Sequence, residues 1–300
     1  MKRLFLFFLL VAGVSYASAQ GIDSAMSEQV LSERSLCDRK PVTSKWSILS
    51  GGAQYTNHYL NSQEYAGSVI GLEASHGRFY RRSEHLSWKL TMSHLRNMHR
   101  NIFGGGLENA ANTSYISIQN YEVDYAVFYN WLIKDRLQLR AGGSFNVYGG
   151  FMAGDDNAIN NVIGVDFQTQ FFAHAQIRYG WDFKKFGLDL YANLSTPFMG
   201  LMAVDERFEG FFETIPSSDF NLKEHTHLVF SSMHNLQGVN YEMGIDFALR
   251  NLNIALSFEN KSRWWNAYEL QNYRKYSILK LGVSVNLFAQ QNRKASNRQF

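Results

Sequence analysis

Residues 115–150 read YISIQNYEVDYAVFYNWLIKDRLQLRAGGSFNVYGG. Taken two at a time, Tyr121, Val123, Tyr125, Val127, Tyr129 and Trp131 fall on one side. Asn120, Glu122, Asp124, Ala126 and Asn130 fall on the other. After the polar break Lys134-Asp135-Arg136 the alternation resumes, with Leu137, Leu139, Ala141, Phe145 and Val147 against Gln138, Arg140, Ser144, Asn146 and Tyr148. A period of two is a strand, because successive side chains point to opposite faces of the backbone. Two long strands, oily on one face and charged on the other, joined by a tight turn, are the repeating unit of a transmembrane β-barrel.

The same pattern recurs along the chain. Strand one is placed at about 45–58, with a bulge expected at Gly51-Gly52. Strand two turns Ile70, Leu72 and Ala74 outward, and strand three Leu86, Trp88, Leu90 and Met92. Further strands carry the outward sets Phe171 to Trp181, Phe186 to Leu194, Val239 to Leu249, Leu252 to Phe258 and Leu279 to Leu287. The fold class is therefore all-β, a transmembrane up-and-down antiparallel barrel of about ten strands, with twelve as the alternative, over residues 45–288. An extra strand is the open question at Leu228-Phe230. Short turns alternate with long loops at 99–113, 151–165, 201–236 and 261–274. Short turns belong on the periplasmic side and long loops outside. Trp46, Trp88, Trp131 and Trp181 all fall near the short-turn end, as an interfacial girdle requires, and Trp264-Trp265 serve the opposite rim.

Composition agrees with an exported barrel. The chain has 23 Phe, 16 Tyr and 6 Trp but only 3 Pro, and Cys37 has no second cysteine to pair with. Residues 1–19 have a basic start, a short apolar run and an Ala-x-Ala site, which is a secretory signal peptide. The run is shorter than the ~18 residues of a spanning helix. Residues 20–44 are a polar periplasmic lead-in, and 289–300 a C-terminal tail after Phe288. The expected location is the cell outer membrane, with outer-membrane lipid and the barrel insertion machinery as partners. A net charge of +3 and the absence of a nucleotide or nucleic-acid motif argue against a nucleic-acid partner.

The pattern resembles Gram-negative outer-membrane barrels over residues 45–288. The segments Gln54-Tyr55-Thr56-Asn57-His58-Tyr59 and Gly71-Leu72-Glu73-Ala74-Ser75-His76-Gly77-Arg78 further resemble an uncharacterised family of such barrels, a domain of unknown function. Omptin-type proteases share the ten-strand architecture, but their Asp-x-Asp and Asp-x-His pairs have no counterpart here.

Candidate chemistry lies on the inward face. A ten-stranded barrel is narrow, so side chains fill it. The inward set includes Glu122, Asp124, Arg140, Arg178, Glu242, Asp246, Glu259 and Lys280, read as a lumenal charge network. A two-residue turn at Arg250-Asn251 pairs Glu242 with Glu259. Opposed carboxylates then need a cation, a proton or a basic side chain between them. A turn at Lys184-Lys185 pairs His174 with Ser195, the elements of a hydrolytic dyad, although no acid stands in the neighbouring register. His225-x-His227 is a weak metal pair without a third ligand. No cofactor is called for. The function expected is an outer-membrane barrel with a filled lumen, whose outer loops meet a ligand or partner of unstated kind. The alternatives are an outer-membrane hydrolase acting on lipid or peptide at the mouth, and a narrow passive pore.

One substitution tests the face assignment. Val127→Arg, facing lipid, is expected to cost about 2–4 kcal/mol of insertion in a refolding titration. Asn120→Arg, facing inward, is expected to be tolerated better.

Overall fold

The computed structural model describes residues 42–57, 61–78, 82–100, 107–109, 114–134, 136–154, 163–183, 186–205, 226–249, 252–267 and 270–286. The expected signal peptide, most of the expected lead-in, Phe288 and the expected tail lie outside these residues, as does His225. His227 is described only in its backbone.

Twelve strands and no helix occur among the described residues. They are β1 (Val42–Asn57), β2 (Asn61–Arg78), β3 (Arg82–Arg100), β4 (Leu107–Asn109), β5 (Tyr115–Lys134), β6 (Leu137–Gly154), β7 (Ile163–Asp182), β8 (Gly187–Asp205), β9 (Thr226–Ser232), β10 (Leu236–Leu249), β11 (Leu252–Ala267) and β12 (Leu270–Asn286). Consecutive strands pair antiparallel except at β4, which pairs only with β3 while β3 goes on to pair with β5, and at β9, which pairs only with β8. Two contacts close the cylinder. β1 pairs with β12, and β8 pairs with β10 from Gly187↔Ala248 to Ser195↔Asn240. The closed circuit has ten strands, with β4 an appendage on β3. Closure leaves no unpaired edge, which hydrocarbon would penalise heavily.

β9 continues β10. It pairs with the outer part of β8, Met199↔Ser232 to Asp205↔Thr226, and a three-residue turn at 233–235 joins it to β10. Asn235 holds the break. Its side chain donates to the Phe230 carbonyl at 3.0 Å and accepts from the Ser232 amide at 2.8 Å. The expected extra strand is thus the outer half of a broken barrel strand.

On the strands whose faces the sequence assigns, the outward and inward assignments agree with burial, apart from Ala74. On β5, Tyr121, Val123, Tyr125, Tyr129 and Trp131 are exposed, while Asn120, Ala126 and Phe128 are buried. Ala74 shows how an outward residue can be covered. It shares a register row with Trp46 and Trp88, whose rings meet edge to face with centroids 5.9 Å apart. Tyr129 with Trp131 and Tyr179 with Trp181 make similar pairs at 4.9 and 4.5 Å.

Three expectations need correction. First, β1 has no bulge at Gly51-Gly52. Its register runs unbroken there against both neighbours, and the irregularity comes at Thr56/Asn57. The glycine answers a different need. A Cβ on Gly51 would lie 2.0 Å from the Ser277 carbonyl oxygen, and one on Gly142 2.0 Å from that of Val127. Both positions face inward, where a tightly curved sheet brings the neighbouring backbone close. Second, the long loops are shorter than their composition implies. β11 runs to Ala267 and β12 starts at Leu270, so 261–274 is mostly strand. β5 and β7 have 20 residues each, against the roughly 9–11 that cross a bilayer. The ladder therefore continues beyond the hydrocarbon, where outward residues no longer need to be oily. Third, Trp264 faces out, but Trp265 is 6 % exposed and belongs to the core inside the barrel.

That core packs Tyr55, Tyr65, Leu95, Ile116, Ile118, Met152, Met202, Leu236, Trp265 and Tyr276, with Leu49 and Ile278 below them, inside the cylinder. Asn120 lies among them at 2 % exposure. Its amide donates to Tyr276 at 2.8 Å and to Thr91 at 3.3 Å, and it accepts from the Tyr148 hydroxyl. Asn120→Arg would break this bonding, so it is not the tolerant control its inward position suggested. Ser87 is. It faces Asp124 in register, and both line a polar cavity. Ser87→Arg is expected to refold within about 1 kcal/mol of the parent, inside the usual spread for tolerated substitutions, while Val127→Arg loses insertion. Equal losses in the same refolding titration would refute the face assignment.

Candidate functional site

Below the apolar core the lumen is charged. Its centre is Lys280 on β12. The Lys280 Nζ lies 2.9 Å from Glu73, 3.1 Å from Glu259 and 3.5 Å from Glu242. Lys89 lies 2.7 Å from Glu259 and 3.5 Å from Glu73. Lys261 joins Glu122 at 2.7 Å and Glu259 at 3.3 Å, and Arg263 approaches Glu122 at 3.9 Å. Glu73, Glu122, Glu242 and Glu259 thus face Lys89, Lys261, Arg263 and Lys280, four charges of each sign. Glu242 and Glu259 are register partners, and the basic group between them is Lys280. Glu242 also accepts from Ser257 at 2.8 Å and Tyr191 at 3.0 Å.

Alternation explains why these groups converge. Glu259, Lys261, Arg263 and Trp265 occupy every second position of β11 and so share its inner face. Lys261, Arg263 and Arg274 fall within the loop the sequence predicts at 261–274, which hides their part in the lumen. The parity running on from Glu259 was the signal that could have found them.

A second group lies nearer the short-turn ends. Asp189 and Asp246 are register partners. Arg178 reaches Asp246 at 3.0 Å and Asp189 at 3.7 Å, with its guanidinium 5.2 Å from the Tyr191 ring centre. Arg140 donates to Gln176 at 3.3 Å. A third group sits in the apolar core. Arg274 meets Asp166 at 3.3 Å and lies 3.8 Å over the Tyr148 ring and 5.3 Å from that of Trp265.

His174 and Ser195 are register partners. The hydroxyl that meets His174 is nevertheless that of Ser144, 2.8 Å from Nε2. Ser144 is also bonded to the Asp124 carboxylate. The imidazole thus meets a hydroxyl already tied to an acid. This reverses the order a nucleophile needs, in which the acid orients the base. Among the described residues no group of three or more His, Cys, Asp or Glu could hold a metal.

The charged groups surround two small cavities. One of about 140 Å³ lies among Glu122, Asp124, Ser144, His174, Glu259 and Lys261. The other, about 220 Å³, shares Glu73, Ser87, Asp124 and His174 with it and extends to Thr43, Gly77 and Ser284 near the short-turn ends. Both have polar walls and room for a few waters.

A family profile described as "Protein of unknown function (DUF3316)" matches residues 4–294. No curated protein matches the sequence. Similar solved structures include the outer membrane protease OmpT from Escherichia coli, at 11% identity and TM-score 0.44, covering 82% of this chain and 97% of that one. The beta domain of the Bordetella autotransporter BrkA matches at 11% identity and TM-score 0.39, over 82% and 100% of the two chains. Neisserial surface protein A matches at 8% identity and TM-score 0.33, over 82% and 97%. These are likenesses of barrel architecture alone.

Removing the central cation tests the network. Lys280→Met leaves Glu73, Glu242 and Glu259 facing one another and is expected to destabilise the refolded barrel by about 3–5 kcal/mol. Adding Glu259→Gln should restore part of that loss. Urea unfolding followed by tryptophan fluorescence reads both, and a Lys280→Met barrel as stable as the parent would show that Lys280 is not what balances the acids.

Proposed function

We propose that this chain, which belongs to the DUF3316 family, is an integral outer-membrane barrel whose lumen is closed to ions and whose outer end is its working surface. The observation that carries this reading is the contrast between wall and interior. Large apolar side chains stand exposed around the outside, from Trp46 and Ile48 on β1 to Leu279, Leu281, Val283 and Val285 on β12. Such a surface would be untenable in water, where exposed apolar patches are normally limited to a few hundred Å². Hydrocarbon accounts for it.

Inside, paired charges and an apolar core take the space that a wide barrel would leave to water. Leu49, Leu95, Leu236 and Ile278 are each no more than 2 % exposed although they point into the lumen. An ion moving along the axis would have to leave water at this level, and that cost supports a closed barrel over a pore. The polar cavities lie on the other side of this core, toward the short turns. Ligand contact would then fall to the strand ends and loops on the long-loop side.

Planar-bilayer recording tests the proposal. The refolded protein is expected to give no resolved conductance steps in 1 M KCl. Replacing Leu49, Leu95 and Leu236 together by Gly should open a measurable leak. Reproducible steps from the parent protein would favour the pore instead.

A further inference from the structure

The outer wall is not equally apolar all round. On β7 and β8 exposed apolar residues persist far from the short turns, to Val165, Phe167 and Leu201. On β12, β1, β2 and β3 they stop sooner, at Leu279, Ile48, Ile70 and Met92. Polar and small residues follow on the same outward face. One register row holds Ser277, Gly52, Ser68, His94 and Ser117. The next holds Lys275, Gln54, Ala66 and Arg96.

These two rows form a shallow groove. Gly52 and Ala66 provide a floor without bulk, and Gln54, Lys275 and Ser277 line its sides, around a volume of about 220 Å³. Lys275 is part of its lining, and Arg96 follows Ala66 in the same register row, just beyond that lining. They are three strands apart in one row, roughly 14 Å at the ~4.8 Å spacing of paired strands. Neither takes part in an ion pair among the described residues. The Arg96 Nε is buried without a hydrogen-bond partner. Beside Arg96, the His94 ring stacks on Tyr115 at 5.2 Å and meets the Ser117 hydroxyl at 3.3 Å. Glu64, one row farther toward the loops, is the nearby carboxylate on this face.

We propose that this groove holds a phosphorylated glycolipid of the outer leaflet, with one phosphate at Lys275 and a second at Arg96. A disaccharide head group phosphorylated at both ends fits two cations set apart by a floor of small residues. Its acyl chains would descend along Ile48, Ile70, Met92 and Leu279, where the apolar wall begins. His94, Ser117 and Ser277 supply hydrogen bonds to sugar hydroxyls. A lipid head drawn down onto this wall also explains how a belt of unequal height can sit in one bilayer. Both cations are needed because each carries one phosphate, in charge-assisted hydrogen bonds.

The proposal rests on the outer-membrane reading, and its test separates the two. The full chain is refolded into phosphatidylcholine vesicles, checked by flotation, then transferred to nonionic detergent. Native mass spectrometry follows retention of diphosphoryl lipid A, monophosphoryl lipid A and phosphatidylglycerol, with inorganic phosphate as competitor. Diphosphoryl lipid A is expected to bind most tightly. Lys275→Gln and Arg96→Gln should each weaken it roughly fivefold, and the pair roughly 25-fold. Arg136→Gln, at a short turn, should leave binding unchanged. Heat-modifiable gel mobility verifies that each variant is folded.

Equal retention by the parent and the folded double variant would overturn the proposal, as would an equal loss with Arg136→Gln. Displacement by millimolar inorganic phosphate would mean a free-phosphate site and would overturn it too. Protein that does not float with the vesicles would overturn the membrane reading, and this proposal with it.

Discussion

The structure depends on the pairing of β8 with β10. Without it, ten antiparallel strands would form an open sheet with two edges of bare amide and carbonyl groups. In hydrocarbon each unsatisfied group costs several kcal/mol. Closing the circuit removes both edges and at the same time fixes which residues face where. Once a strand is paired on both sides, alternate side chains must point into a narrow cylinder or out of it. The oily outer face and the crowded inner face follow from one act of closure. The glycines at 51 and 142 belong to the same requirement, since a ten-strand circumference brings backbones too close there for a Cβ.

Crowding inside the cylinder sets the second condition. Charges cannot be left unpaired in a space this small, because water is scarce and the desolvation penalty is large. The interior meets this condition by placing basic groups among acids from different strands. Lys280 on β12 serves acids from β2, β10 and β11, and Lys261 on β11 reaches across to β5. These bonds tie strands distant in sequence and fix the lumen as one unit. Toward the long loops the interior becomes apolar and aromatic, with Arg274 held between Tyr148, Trp265 and Asp166.

Legibility in the sequence followed the same physics. Where hydrocarbon forces alternation, the pattern could be read directly, as in the outward Tyr121 to Trp131 or the pairing of Glu242 with Glu259. Beyond the membrane that pressure ends. Lys261, Arg263 and Arg274 therefore looked like loop residues although their strands continue, and Trp265 looked like a rim residue although it points inward. The broken strand at Met233-His234-Asn235 carries no period-two signal, so β9 read as separate. Register showed that His174 and Ser195 are neighbours, but rotamers decide which hydroxyl an imidazole meets, and that hydroxyl is Ser144. The patch formed by Lys275, Arg96 and Gly52 was beyond reach for a related reason. It is assembled across four strands from residues that are unremarkable singly.

The most direct measurement is spin-label accessibility in lipid vesicles on a Cys37→Ser background, since Cys37 is the chain's single cysteine. Labels at Val123, Val127, Leu256 and Leu281 should collide more with dissolved oxygen than with an aqueous nickel chelate. Labels at Ser75 and Ser87 should be shielded from oxygen. Outward sites that favour the aqueous reagent, or no difference between the two sets, would contradict a wall that faces hydrocarbon.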